Sequence, residues 1–370
     1  MRTLFVSSVG DAAGKNMLIA GIGKKMLADK YRVGFLKPLA NKPHLHERIT
    51  SDEDALFFHN IFNLEDPVKH LTSLVVNDEL FRNIISGDEK AELADKVKES
   101  IEKLSANKDV LLVKGLGRFY RGASLGLSKH RSDRASEHNL IRNFNWPTIL
   151  IDGFQANRFA LPIDIIDGFI MAKKVLGNLL AGVIFNYVPA NQMEYLKDKI
   201  VPFLQKEHKI ETLGLIPALP RLKALSIREI KTMLQAELLS GVDQEDKIVE
   251  EFCISTMNME NDIRYFRDTK CNAVIVSGDR VEIQLAALES RVECLILTGK
   301  LYPPDIVLSK AEEMNVPVLV VRDTSLETSR KIERLRKHFG LYTPSKIDEA
   351  IKLVQKNVSI KGIYRKLGMK

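Results

Sequence analysis

Short apolar runs alternate with helical periodicity along almost the whole chain, and this alternation leaves few folds open. In the first half the apolar runs are Thr3–Ser8, Val33–Lys37, Asp109–Lys114, Pro147–Asp152, Leu180–Tyr187 and Thr212–Ile216. They are rich in Val, Ile and Leu, as strands buried on both faces require. Helical patterns are expected between them, over Asn16–Asp29, Asp52–Phe62, Glu89–Ala106, Asp133–Phe144, Ile163–Gly177 and Gln192–His208. Parallel strands need long crossovers, and helices supply them. The expected fold class is therefore α/β: a parallel sheet wound on both faces by helices. Pro147, Pro189, Pro202 and Pro217 fall at element ends, where proline is tolerated.

The stretch Pro217–Leu225 interrupts this rhythm with two prolines and two basic residues, and reads as a linker. A second alternation follows. Ser226–Leu234 is an expected helix, with Ser226 as N-cap and Glu229 three residues on, a capping box. Strands are expected at Phe252–Ser255, Asn272–Val276, Glu293–Leu297 and Val316–Val320. Helices are expected at Glu260–Arg267, Asp279–Glu289, Pro304–Glu313 and Leu326–Lys337. These make a second, smaller α/β unit. The organisation read from the 370 residues is a domain over 1–217, another over 218–340, and one helix with a basic tail over 341–370.

Composition narrows the partners. Hydrophobic residues make up 45% and charged residues 28%, as in an ordinary globular protein. No apolar run approaches the ~20 residues needed to span a bilayer. Met1–Ser7 is too short for a signal peptide. A cytoplasmic protein with no membrane partner is expected. The net charge of +7 is spread along the chain without a nucleic-acid motif, so small anionic ligands suit it better than nucleic acid. Cys253, Cys271 and Cys294 form no Cys-x-x-Cys pair and are expected as buried small hydrophobes.

The first apolar run leads into Ser8-Val9-Gly10-Asp11-Ala12-Ala13-Gly14-Lys15-Asn16. A phosphate loop turns backbone N–H groups inward, adds the positive end of the following helix, and reaches the outer phosphates with a lysine. Gly14 and Lys15 meet that need. The common spacing would require glycine at Val9; a spacing one residue longer starts at Ser8. Asn16 stands where a magnesium-binding hydroxyl is usual. Ser8, Gly10, Gly14, Lys15 and Asn16 are thus candidates for binding ATP or a related nucleotide.

The longer spacing resembles that of the dethiobiotin synthetase group of P-loop enzymes. Further resemblances fall in order: Lys37-Pro38 ending a strand, Asp54-Ala55-Leu56, Leu112-Val113-Lys114-Gly115-Leu116-Gly117, a strand ending at Asn186, and Gly214-Leu215-Ile216-Pro217. Joined to a DRTGG domain, this module resembles the N-terminal region of long phosphate acetyltransferases. The DRTGG signature is matched by Asp279-Arg280 and Thr298-Gly299, with Lys300 replacing the last glycine. The resemblance covers residues 3 to about 340, and the expectation is a chain without the acetyltransferase catalytic domain. It implies base contact by Asn186 and a ligand-facing role for Asp279, Arg280, Thr298 and Gly299 at strand ends.

The same resemblance implies a magnesium ion held at three places, occupied here by Asn16, Asp54 and Lys114. Only Asp54 keeps a metal-binding carboxylate, so it is the metal candidate, and magnesium chemistry of the familiar kind is not expected. Lys15, Lys37 and Lys114 are expected instead as three ammonium groups facing phosphate oxygens, with Lys114 supplying charge in place of the metal. Asp52 reads as an N-cap. His44, His46 and Glu47 read as a solvated loop. Gly115–Ser128, with Arg118 and Arg121, reads as a glycine-rich loop able to close over an anion. Two functions follow. One is a nucleotide- or anionic-metabolite-binding regulatory protein, acting through an enzyme partner or a homo-oligomer. The other is an ATP-dependent carboxylate ligase or cyclase of the dethiobiotin synthetase or cobyrinic acid amidase type.

Overall fold

The computed structural model describes residues 1–40, 43–46, 49–75, 93–117, 119, 137–154, 163–255, 271–338 and 344–369. The chain divides into two compact units, Met1–Ala218 with Ile347–Lys370, and Leu219–Lys346.

The strands of the first unit are β1 (Arg2–Ser8), β2 (Val33–Ala40), β3 (Pro43–His46), β4 (Ile49–Asp52), β5 (Thr72–Val75), β6 (Val110–Lys114), β7 (Thr148–Gly153), β8 (Leu180–Val188) and β9 (Thr212–Pro217). Seven of them form one all-parallel sheet in the order β5-β2-β6-β1-β7-β8-β9. The helices are α1 (Lys15–Ala28), α2 (Glu53–Phe62), α3 (Leu93–Ser105), α4 (Glu137–Asn143), α5 (Ile163–Leu176), α6 (Ala190–Tyr195) and α7 (Val201–His208), the last two joined by a π turn over Leu196–Ile200. Leu4, Phe5 and Val6 in β1 and Val110 to Val113 in β6 are almost wholly buried. Their uninterrupted apolar character follows from helices covering both faces. From β1 the chain moves outward to β2 and β5. It then returns through β6 to the other flank, so the winding reverses at β1. An open α/β sheet binds ligands at the carboxyl edge of such a switch point.

Two local expectations change. His44 and His46 lie not in a loop but in β3, which pairs antiparallel with β4; Glu47 lies outside the described residues. The edge strand β5 was not expected, because four residues are too few to stand out from their surroundings.

The second unit contains β10 (Leu225–Ser226), β11 (Glu237–Ser240), β12 (Ile248–Val249), β13 (Phe252–Ile254), β14 (Ala273–Ser277), β15 (Cys294–Thr298) and β16 (Val318–Val320). Its helices are α8 (Ile227–Leu234), α9 (Val281–Glu289), α10 (Asp305–Glu313) and α11 (Ser325–His338). The sheet order is β11-β16-β15-β14-β13, parallel except for β11. Alternate residues feed two cores. Val274, Val276, Leu295 and Leu297 pack on one face; Ala273, Ile275, Cys294 and Ile296 pack on the other. Ser226 caps α8 in a full capping box with Glu229. The helix expected over Glu260–Arg267 lies outside the described residues.

The cysteine expectation is corrected. Cys253 and Cys271 are buried, but they are joined as a disulfide, because the middle of β13 and the segment two residues before β14 come together across parallel strands. Cys294 is free and buried, and burial pushes its thiol up to about 12.

Toward its C-terminal end the chain forms two helices, α12 (Pro344–Asn357) and α13 (Ile360–Leu367), rather than one helix and a basic tail. Ile347–Lys370 belong to the first unit. Val354 packs so closely on Gly21 of α1 that a methyl group there would lie 2.5 Å from its Cβ. Tyr364 Oη donates to Asp29 at 2.6 Å, and Arg2 donates to the Gly368 carbonyl at 2.7 Å. Among the described residues no helix is long and apolar enough to cross a membrane.

Candidate functional site

The loop between β1 and α1 closes on itself before it meets anything else. Ser8 Oγ donates to the Gly10 carbonyl at 2.7 Å and accepts from Lys15 Nζ at 2.7 Å. Gly14 has φ +95°, and a side chain there would collide with the Asn186 amide. Only glycine meets both demands cheaply. Asn186, fully buried at the end of β8, donates to the Ala13 carbonyl at 2.9 Å and accepts from Tyr187 N–H at 2.9 Å. It therefore fastens the loop. Gly10 also approaches Asp152 of β7 closely; a methyl group there would lie 2.8 Å from Oδ1. Among the described residues no side chain caps α1, so its first N–H groups and the positive end of its dipole have no side-chain acceptor at the cap.

Lys15 is 9% exposed. Burial lowers its pKa, against the pull of Glu137 and Asp54. Among the described residues no carboxylate lies within ion-pairing distance of its ammonium; its hydrogen-bond partner is Ser8.

Lys37 and Lys114 are arranged differently. Lys37 Nζ bridges Asp52 Oδ1 at 2.7 Å and Asp54 Oδ2 at 2.6 Å. Lys114 Nζ pairs with the same Asp54 Oδ2. Asn16 Nδ2 donates to Asp54 Oδ1 at 2.8 Å. Asp52 also caps α2, accepting from Asp54 N–H at 2.9 Å. Burial alone would raise the Asp54 carboxyl, but the Lys114 and Lys37 ammonium groups overturn this and hold it well below the ordinary carboxylate range. The expected trio of lysines is thus divided: Lys15 stands at the loop on Ser8, and Lys37 and Lys114 are held on aspartates. The reason is burial: an ammonium group taken out of water needs a carboxylate more than an open position.

The fold does bring Asn16, Asp54 and Lys114 together. Their chemistry does not fit magnesium, which demands oxygen ligands in near-octahedral array. Both Asp54 oxygens are already taken, by two ammonium groups and an amide. The remaining acceptor is Asn16 Oδ1, a neutral oxygen that is buried without a partner.

Glu137, the first residue of α4, escaped the sequence reading. It is 3% exposed, accepts from Ser7 Oγ and takes Gly117 N–H at 3.2 Å. Burial raises its pKa, with Ser7 and Lys15 opposing. No motif surrounds it, so only the fold could bring it to the loop. Asp152, another omission, ends an expected strand but lacks a motif partner. Gly117 brings the chain after β6 to Lys15, since a methyl group there would lie 3.4 Å from Nζ. Arg118, Arg121 and the rest of that glycine-rich loop through Ser128, apart from Phe119, lie outside the described residues.

In the second unit, Asp279-Arg280 and Thr298-Gly299 stand at adjacent strand ends, where Ser277 and Thr298 are in register. Arg280 Nη1 donates to Ser255 Oγ at 3.1 Å. Thr298 is 2% exposed; its hydroxyl meets the Ser325 hydroxyl at 2.8 Å at the start of α11. Gly299 N–H donates to the Asp323 carbonyl at 2.9 Å, and Gly278 N–H to the Thr298 carbonyl at 3.2 Å. The loops after β14, β15 and β16 are knitted into one carboxyl edge.

Comparison with known proteins agrees with both halves of this description. Residues 2–226 match the family described as AAA domain, and residues 229–335 match the DRTGG domain. The phosphate acetyltransferase of Nitratidesulfovibrio vulgaris is 23% identical over 96% of this chain and 50% of its own length. The ATP-dependent dethiobiotin synthetase of Caldicellulosiruptor saccharolyticus is 21% identical over 58% of this chain and 84% of its own. The chain spans about half the length of the phosphate acetyltransferases it matches. Among solved structures, the CBS and DRTGG domains of the regulatory region of Clostridium perfringens pyrophosphatase, complexed with the activator diadenosine tetraphosphate, align at 23% identity. That alignment covers 30% of this chain and 46% of the other, with a TM-score of 0.26, too loose a likeness to carry an argument. With its P-loop sheet matched from residue 2 to residue 226, the chain belongs to the AAA-domain family in its dethiobiotin synthetase-like form, joined to a DRTGG domain.

Proposed function

We propose that the chain is a regulatory protein that binds a nucleotide or another phosphate-bearing metabolite at the loop after β1. One observation carries this reading. Lys15 reaches back across a loop braced by Asn186, at the uncapped start of α1, and no carboxylate among the described residues neutralises it. Backbone N–H groups, a helix dipole and a mobile ammonium tip are the components of a phosphate cradle. The similarity of 96% of this chain to half the length of a phosphate acetyltransferase supports a role in controlling acyl-phosphate chemistry, and the rewired carboxylate cluster supports binding without turnover.

Calorimetric titration with ADP, ATP and inorganic pyrophosphate tests the reading. Binding is expected, and Lys15→Met is expected to weaken it about tenfold or more, as loss of a charge-assisted hydrogen bond does. Equal affinity in the variant would refute the assignment of Lys15. Steady ATP hydrolysis that Lys15→Met abolishes would replace the regulatory reading with an enzymatic one of the ligase type.

A further inference from the structure

The proposed phosphate site contains a feature that phosphate binding alone does not require. Asn16, Asp54 and Lys114 come from the start of α1, the first turn of α2 and the end of β6. They converge on one point beside the loop. A divalent cation there would need Asp54 as its anionic ligand, and Asp54 is the shared acceptor of two ammonium groups. We infer that this protein binds its phosphate ligand without a divalent cation, because the Lys114 ammonium, held on Asp54, is a covalently tethered replacement for the metal. The inference rests on the reading of the loop as a phosphate site.

Three observations carry it. First, Lys114 is 6% exposed and Lys37 1% exposed, so neither ammonium is a surface charge resting on a nearby carboxylate. Second, the cluster is a closed donor–acceptor chain. Asp52 caps α2 and accepts from Lys37; Lys37 also serves Asp54; Asp54 takes Lys114 on one oxygen and Asn16 on the other. A metal ion could enter only by displacing both ammonium groups from Asp54, leaving Lys37 with Asp52 and Lys114 buried with no other carboxylate partner among the described residues. Third, the pairing leaves Lys15 out. Lys37 and Lys114 are held on Asp52 and Asp54, whereas Lys15 has no carboxylate within ion-pairing distance among the described residues; Glu137, Asp54 and Asp11 act on it from farther away. An anion is attracted by that ammonium, whereas a divalent cation is repelled by it.

The geometry also distinguishes the two lysines. Lys37 has two carboxylate partners and completes the aspartate pair; it is a positioning residue. Lys114 has Asp54 alone among the described residues, and it stands at the strand end next to the loop that passes Lys15.

The test is calorimetric titration of the full chain with ADP and with inorganic pyrophosphate, in excess EDTA and in excess magnesium. The expected result is binding whose affinity differs by less than about threefold between the two conditions. Binding seen only with magnesium would overturn the inference and leave the phosphate site standing. No binding in either condition would overturn the phosphate site itself, and the inference with it. A second readout removes dependence on affinity alone. Electron paramagnetic resonance of manganese should show no protein-bound ion in the wild-type complex with ADP; a bound signal would overturn the inference. Lys114→Glu should create metal dependence, with binding at least about tenfold tighter in magnesium than in EDTA. Lys114→Met, which keeps the length and removes the charge, should weaken EDTA-state binding about tenfold, and unchanged affinity would count against Lys114. Circular dichroism establishes that each variant is folded.

Discussion

Removing the shared carboxylate should destabilise the first unit sharply. In Asp54→Asn, Lys37 keeps Asp52 at 2.7 Å, but Lys114 loses its ion-pair partner among the described residues. The gross attraction of a unit charge pair at the 2.6 Å Lys37–Asp54 separation is about 6 kcal/mol at an effective dielectric constant of 20. Most of that is offset by desolvation in the intact protein. In the variant the attraction is lost while the desolvation cost remains, because Lys37 and Lys114 stay buried as their shared acceptor turns neutral. Breaking a buried pair from one side costs about 3–5 kcal/mol, and the new amide N–H groups face existing donors, which favours the upper end. The chain's single tryptophan, Trp146, is buried in the first unit and stacked on Phe5 and Phe144. Its fluorescence during urea unfolding therefore reads the first unit. The double variant Asp54→Asn/Lys114→Met should be less destabilised than the sum of its parts by about 1 kcal/mol or more. An unchanged urea midpoint for Asp54→Asn, or a strictly additive cycle, would refute the network.

Other perturbations test other parts. Glu137 has a raised pKa, so the unfolded chain releases its proton at lower pH than the folded chain. Its contribution to stability is thus present below the ordinary carboxylate range and is lost as pH rises through the folded value. Glu137→Gln lacks this slope, and its midpoint relative to wild type should rise with pH; a parallel pH profile would show that Glu137 does not titrate differently on folding. Gly14→Ala should cost about 1–3 kcal/mol, through its left-handed backbone and the Asn186 collision, and should weaken ADP binding in calorimetry. Ser226→Ala removes the capping box of α8 and should cost about 1 kcal/mol in a thermal melt followed by circular dichroism. Tyr364→Phe removes the hydroxyl that donates to Asp29 and should lower the tryptophan-detected stability by about 1–2 kcal/mol, provided that the C-terminal helices fold with the first unit.

Much of the site was legible before the fold. The strand, the loop with Gly14 and Lys15, and the helix form one local unit, so the sequence shows them together. The positions of Asn16, Asp54, Lys114 and Asn186 were legible through their order along the chain. Their connections were not. Lys114 pairs with a residue 60 positions earlier and Asn186 with a carbonyl 173 positions earlier. Whether a buried lysine faces ligand or carboxylate depends on which neighbour is nearer, and spacing along the chain carries no such distance. The Cys253–Cys271 disulfide escaped for the same reason.

What the sequence determined by itself was the set of local and periodic features: buried parallel strands, crossover helices, the capping box at Ser226, and a phosphate loop whose glycine is needed by backbone geometry. These follow from rules that act over a few residues. The tertiary structure alone decided the electrostatic wiring of the site and the return of Ile347–Lys370 to the first unit. The physical reason is that burial makes every charge seek a partner, and the partner available is whichever one the folded chain brings within about 3 Å. Here that partner is Asp54, and its capture by Lys37 and Lys114 turns a magnesium-type position into one already filled with positive charge.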